Sequence, residues 1–312
     1  MDKVEKTARV WINIFAAAAL TGFMVVVCAG TARAAELLWV GDFETGDFSQ
    51  YNNKLSGEGT RSTRRIVTSP VRNGRFATEL TILGLGNDSG TERAELTTKL
   101  SGGGGMIRFD WDGPEYWIGF SFLFTEWEAN AHTFFQIHAP NEKGDQCDFA
   151  GNTFSVWGDG ESRNNGIADR IGVRVLTDGG ISAGEGAASN NSVVHSYPFV
   201  FNLWQDYVVN FRLSTKGEGY YHIWKNGELI YSRTGMTNVN YLDSCGQPIL
   251  SEKTHHNGAH IGIYAPGNAA FRRIYYDEVR VAQGADGYEL VAPGGTAEVP
   301  TSSSVPLPPS LQ

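Results

Sequence analysis

Three short stretches set polar side chains an even number of residues apart on β-prone runs: Arg93-Ala94-Glu95-Leu96, Phe134-Phe135-Gln136-Ile137-His138 and His260-Ile261-Gly262-Ile263-Tyr264. Along a strand, successive side chains point to opposite faces. Arg93 and Glu95 therefore share a face, as do Gln136 and His138, and as do His260 and Tyr264 with Gly262 between them. A guanidinium, an amide, an imidazole and a phenol on one sheet suit β-elimination from a 4-linked uronic acid. The C5 proton of such a sugar is only weakly acidic until the neighbouring carboxylate is neutralised. Arg93 and Gln136 can hydrogen-bond that carboxylate and stabilise the enolate-like charge that develops on it. A base must then take the C5 proton, and an acid must protonate the departing O4. His138 and Tyr264 are the candidates for these roles.

The elements that must hold these residues read as strands. Glu36–Val40, Tyr116–Phe124, Thr133–His138, Asn152–Trp157, Ile171–Leu176, Trp204–Leu213, Gly219–Trp224 and Arg273–Val281 carry the pattern, with Gly, Asn and Asp turns between them. Lys225-Asn226-Gly227-Glu228 predicts a hairpin, because Asn-Gly suits a type I′ turn. Many short strands without βαβ alternation imply a sandwich or jelly roll, and 312 residues suffice for one such domain with a full core. The glycine-rich stretches at 102–105 and 179–186 lack the strand-then-helix context of a phosphate loop.

The two ends of the chain read differently from its middle. Lys3, Lys6 and Arg9 precede an apolar run from Val10 to Ala29, and Ala32-Arg33-Ala34 offers a small-x-small cleavage site. Residues 1–34 are thus expected to be a secretory signal peptide, an uncleaved anchor being the other reading, and the protein to be secreted or periplasmic. The folded domain is expected over 35–288 and a Pro/Ser-rich disordered tail over 289–312. Of 25 Lys+Arg and 34 Asp+Glu, the signal carries four and two, which leaves 21 against 32. That balance argues against nucleic-acid binding. It also requires an acidic substrate to meet a local basic cluster, for which Arg61, Arg64, Arg65, Arg72, Arg75, Arg93 and Arg174 are available. Outside the signal, Cys147 and Cys245 form an even pair that an oxidising compartment could join, free buried thiols being the alternative.

Taken in order, Arg93–Leu96, Gln136–His138 and His260–Tyr264 resemble the three signature strands of jelly-roll polysaccharide lyases. Alginate lyases of this fold carry Arg-x-Glu-Leu-Arg, Gln-Ile-His and Tyr-x-Lys-x-Gly-x-Tyr. The wider pattern is more similar to the heparin-lyase-I-like and glucuronan lyase group, through Gly41–Phe48, Tyr116–Ser121 and Ile274–Val279. The resemblance covers roughly residues 36–284. It implies a concanavalin-like sandwich of two antiparallel sheets. Arg93 and Gln136 would neutralise the substrate carboxylate, His138 would be neutraliser or base, and Tyr264 would be the acid or both acid and base. Glu95, His260 and Arg174 are expected to bind substrate. The sequence departs from the alginate motif at Thr97, where an arginine is expected, and at Gly258 and His260, where a tyrosine and a lysine are expected. Glucuronan-like polymers are therefore the first expectation, with alginate or a heparin-type glycosaminoglycan as alternatives. A monomer with no organic cofactor and no stable membrane association follows. The resemblance also implies a structural calcium, for which Glu44 and Asp277 are suitable oxygen donors.

Other readings of the same residues lead elsewhere. A glycosidase needs two carboxylates facing one bond, but Glu92 and Glu95 are oddly spaced and fall on opposite faces. His255, His256 and His260 show no zinc-ligand geometry. Trp111, Trp117, Trp157 and Trp224 could stack on sugars or fill a core. A non-catalytic carbohydrate-binding module on the same sandwich is the alternative of another class.

Overall fold

The computed structural model describes residues 34–55, 61–84, 91–98, 107–127, 133–138, 142–143, 148–149, 152–159, 170–181, 191–249, 255–266 and 271–295. The expected signal peptide (but for Ala34), most of the tail and Cys147 lie outside them; Cys245 is disulfide-bonded. Strands are numbered in chain order.

The front sheet has seven antiparallel strands, in the spatial order β13 (Asn191–Pro198), β12 (Arg170–Leu176), β11 (Asn152–Asp159), β8 (Thr133–His138), β18 (Ala259–Pro266), β5 (Thr91–Thr98) and β2 (Tyr51–Leu55). The back sheet runs β16 (Glu228–Met236), β15 (Gly219–Lys225), β14 (Gln205–Arg212), β7 (Tyr116–Trp127), β19 (Arg272–Gln283), β4 (Ala77–Ile82) and β3 (Ser62–Val67). Its eighth strand, β1 (Glu36–Gly41), also pairs with β19. Two minor ladders join β6 (Arg108–Asp110) to β17 (His255–Asn257) and β9 (Glu142–Lys143) to β10 (Asp148–Phe149). This is a β-jelly roll, as the turn-punctuated strand pattern implied. The Asn226-Gly227 turn joins β15 to β16 with φ of 50° and 80°, the left-handed pair that a type I′ turn demands.

Apolar residues alternating into the space between the sheets build one core, from Phe120, Phe122, Tyr207 and Tyr221 behind to Ala94, Leu96, Phe135, Ile137, Phe154 and Ile261 in front. Phe120 and Phe135 stack across it, with ring centroids 3.8 Å apart. At about 25 cal/mol per Å² of apolar surface buried, such aromatic layers dominate the stability of the sandwich.

The back sheet is covered on its outer face as well. Trp117, Val208 and Ala282 pack there against Val291, which belongs to α1 (Tyr288–Val291). Arg280 donates to the Ala292 carbonyl, and Gly294 N–H donates to Glu278. The fold therefore continues through residues 289–295, which were expected to open the tail. Gly119 is required by this covering, because a Cβ there would collide with the Val291 carbonyl.

Candidate active site on the front sheet

Strand register brings the expected residues together. His260 lies opposite Thr97 on one side and Gln136 on the other; Gln136 lies opposite Ser155, and Ser155 opposite Arg174. These five residues form one row across β5, β18, β8, β11 and β12. At the usual 4.7–4.9 Å between strands, the part from His260 to Arg174 spans about 14 Å. A second row sets Arg93 opposite Tyr264, and Tyr264 opposite Thr133. All these positions alternate with core residues, so their side chains lie on the face turned away from the core.

Burial sorts the set into floor and rim. Glu95 is 2% exposed, Gln136 4% and His260 4%, although none of them faces the core. Polar groups buried on an outer face mark the floor of a recess. Arg93, His138, Tyr264 and Arg174 are half-buried and stand where a ligand can reach them. The Arg93 guanidinium sits over the Tyr264 ring, 4.4 Å from its centroid. His138 and His260 bring their rings within 6.1 Å. Gln136 Nε2 donates to Glu95 Oε1 at 2.8 Å, and Arg93 Nη1 meets Glu95 Oε2 at 3.5 Å. Glu95, expected among the substrate-binding residues, thus sits beneath the two groups expected to grip the substrate carboxylate. Tyr276, the nearby core tyrosine, is fully buried, and burial, followed by the Glu95 charge, pushes its pKa well up. Its hydroxyl donates to the Phe134 carbonyl, so it is a structural group.

Two departures from strict alternation shape the recess. Phe134 shares parity with Gln136, yet it is the extra residue of β8 where consecutive Val156 and Trp157 pair with Phe135 and Thr133, and it turns into the core beside Phe135. A second irregularity near Thr153 sends that residue inward to Tyr221 and leaves Asn152 opposite His138. The Asn152 Oδ1 is buried and accepts no hydrogen bond. Asn152 and Ser155 are site-face residues that the motifs did not flag. Only their positions on the strand that follows the Gln-Ile-His motif could have pointed to them. Of the four tryptophans considered above, Trp157 faces the site, under the Arg174 guanidinium. Trp111 is in the core, and Trp117 stacks on Trp224 behind the back sheet.

The remaining basic candidates are engaged elsewhere. Arg65 pairs with Glu79 and Arg72 with Asp206, and Arg64 and Arg75 lie over Phe48 and Phe76, whereas Arg93 and Arg174 are on the site face, as is Arg170, which is held by Ser196. Glu92 and Glu95 do lie on opposite faces, Glu92 sharing parity with core residues Ala94 and Leu96. The expected calcium donors are tied to backbone. Glu44 Oε1 accepts from Arg75 and Phe76 N–H, and Asp277 Oδ2 accepts from Arg72 and Asn73 N–H. Among the described residues no three His, Cys, Asp or Glu side chains gather as a metal cage. Calcium takes six to eight oxygens, backbone carbonyls and waters among them, and no chemical step is drawn through the ion. Among the described residues, no helix is long and apolar enough to cross a membrane.

Comparison with known proteins agrees with the fold. An endo-β-1,4-glucuronan lyase from the fungus Trichoderma reesei superposes with a TM-score of 0.56 at 18% identity, covering 79% of this chain and 99% of that one. An alginate lyase of polysaccharide lyase family 7 gives 0.48 at 13% identity, over 77% and 97%. An alginate lyase from Pseudomonas aeruginosa gives 0.44 at 15%, over 75% and 98%. No curated protein sequence matches the chain. The polysaccharide lyase family model matches residues 43–280, a span that holds every strand of both sheets except β1 and the last three residues of β19. The chain belongs to the polysaccharide lyase family.

Proposed function

We propose that the protein is an exported, monomeric lyase that cleaves a 4-linked uronic-acid polymer, glucuronan-like before alginate or a glycosaminoglycan, by β-elimination. The observation that carries this reading is the meeting of Arg93, Gln136, His138 and Tyr264 on the outer face of three adjacent strands, with Arg93 over the Tyr264 ring.

Arg93 and Gln136 hold the carboxylate of the sugar whose C5–H bond will break. Their N–H groups meet the negative charge as it spreads onto the carboxylate oxygens, which is where preorganised donors lower a barrier most. A base removes the C5 proton, and the electron pair left behind becomes the C4=C5 double bond. The C4–O4 bond breaks, and O4 leaves with a proton from the acid. The products are a 4,5-unsaturated uronate end and a chain with a restored hydroxyl. In β-glucuronate and β-mannuronate the C5 hydrogen and O4 lie on the same side of the ring. Tyr264 can then both take the first proton and return one to O4, with His138 beside the carboxylate. His138 as base and Tyr264 as acid is the other division of roles.

Support for the glucuronan-like preference comes from the departure at Thr97, where alginate-type enzymes place a second arginine. Thr97 is fully buried. The test is ultraviolet absorbance of the conjugated product while the protein, freed of residues 1–34, is incubated with glucuronan, alginate, heparin and hyaluronan in parallel. A rise with glucuronan alone is the expected outcome. A rise with another member of the panel moves the substrate assignment. Flat traces on all four, with retarded migration in a polymer gel, would replace elimination of these polymers by binding alone.

A further inference from the structure

We infer that Glu95 is a positioning residue, which orients the Gln136 amide for the substrate carboxylate by a hydrogen bond that passes over Gly262 of the intervening strand. The inference rests on the elimination site proposed above.

Glu95 is on β5 and Gln136 is on β8, and β18 runs between them. Their backbones are therefore two strand spacings apart, about 9.5 Å, yet Gln136 Nε2 and Glu95 Oε1 lie 2.8 Å apart. The two side chains reach toward each other across the middle strand. The residue of β18 opposite Glu95 is Gly262. Its neighbours on that face, His260 and Tyr264, both carry rings. Position 262 itself carries no side chain, and a Cβ built there would meet Leu80 Cδ1 of the core at 2.9 Å. Backbone geometry reserves the position for glycine independently: φ is +120°, and a Cβ would strike the Ala94 carbonyl and the Glu95 Cα.

The chemistry of the pair determines what the bridge does. An amide presents a donor end and an acceptor end that differ little in shape. Facing a substrate carboxylate, the acceptor end would repel and the donor end would bind. An ionised carboxylate accepts hydrogen bonds and cannot donate them. Glu95 therefore draws the NH2 group of Gln136 to its side of the recess, using one N–H and leaving the other for substrate. The second carboxylate oxygen is 3.5 Å from Arg93 Nη1, so one buried anion holds both carboxylate-binding groups. At 2% exposure Glu95 is a floor group rather than a substrate contact.

Glu95→Gln keeps the shape but lets the Gln136 amide face either way. The variant is expected to lose kcat by about 10- to 100-fold, less than the 10²- to 10³-fold typical of losing such a donor outright. A double-mutant cycle with Gln136→Ala separates positioning from general damage. If Glu95 acts through Gln136, Glu95→Gln costs little once Gln136 is alanine. Equal losses in both backgrounds would overturn the inference. A readout without catalysis is the side-chain amide NMR signal of Gln136, followed in the folded protein. Its two hydrogens should be held apart in shift and protected from exchange, and Glu95→Gln should collapse both properties. An unchanged signal in a variant with wild-type melting temperature would also overturn the inference. Failure on every polyuronate would count against the proposed function, whereas the amide signal reports on the bridge alone.

Discussion

A phenylalanine at position 264 would keep the ring that Arg93 covers and remove only the hydroxyl. Tyr264→Phe is therefore expected to lose about 10²- to 10⁴-fold in turnover, the usual worth of a proton-transferring group, with retardation in a polymer gel unchanged. Product absorbance and affinity electrophoresis on one preparation check both halves. An undiminished rate would pass the proton transfers to His138. At this scale much was legible in the sequence. The even spacing of Gln136 with His138 (i, i+2) and of His260 with Tyr264 (i, i+4) follows from the pleat, and the structure keeps both pairs on one face. Burial was not legible. No local pattern distinguishes Arg93, half-buried at the rim, from Glu95, buried at the floor two residues later, because the difference comes from strands distant in sequence. Asn152 stayed hidden for a related reason, since it enters the site through an irregularity that shifts the pleat by one residue.

At the scale of elements, the strand boundaries came close, and Thr133–His138 and the Asn226-Gly227 hairpin came out as written. Composition marks where strands stop, and a type I′ turn has few sequence solutions. The period-two reading failed at Phe134, where two consecutive phenylalanines both face the core, and at Trp117 and Val208, whose outer face is covered by α1. Bulges and coverings depend on partners that a strand does not encode. On the outer face of β4, Glu79 accepts from Arg65 and Tyr275, with Arg273 close by. Burial alone would raise its pKa, but these partners outweigh burial and hold it below the ordinary 4.5. A carboxylate with a lowered folded-state pKa stabilises the fold above its unfolded value, and that contribution is lost as pH falls through the folded value. Urea midpoints are therefore expected to drop as pH is taken below about 4.5, and Glu79→Gln should flatten that part of the profile. Arg65 is 62% exposed, so the ion-pair part should stay under about 1 kcal/mol. A wild-type slope retained in Glu79→Gln would reassign it to other carboxylates.

The whole molecule depends on a segment that composition suggested was dispensable. Ending the chain after Gln283 should uncover Trp117, Val208 and Ala282, strip Glu278 of the Gly294 N–H, and leave an exposed apolar patch. The expected result is a lower melting temperature and binding of a hydrophobic dye. An unaltered melt would mean that α1 only decorates the sheet. The fold class was readable early because many short strands without helices admit few architectures. The assignment of strands to sheets was not readable, since jelly-roll neighbours are far apart in the chain. That distance has a consequence for the order in which the molecule comes into being. An inner strand of the front sheet is β18 and an inner strand of the back sheet is β19, and these two are the last strands in the sequence. Until they emerge during synthesis, β5 has no link to β8 and β7 has no bridge to β4, so each sheet exists only as unjoined parts. β18 also brings His260, Gly262 and Tyr264. The strand that closes the front sheet therefore delivers the proposed acid in the same event, and an incompletely made chain has neither a finished sheet nor a reactive centre.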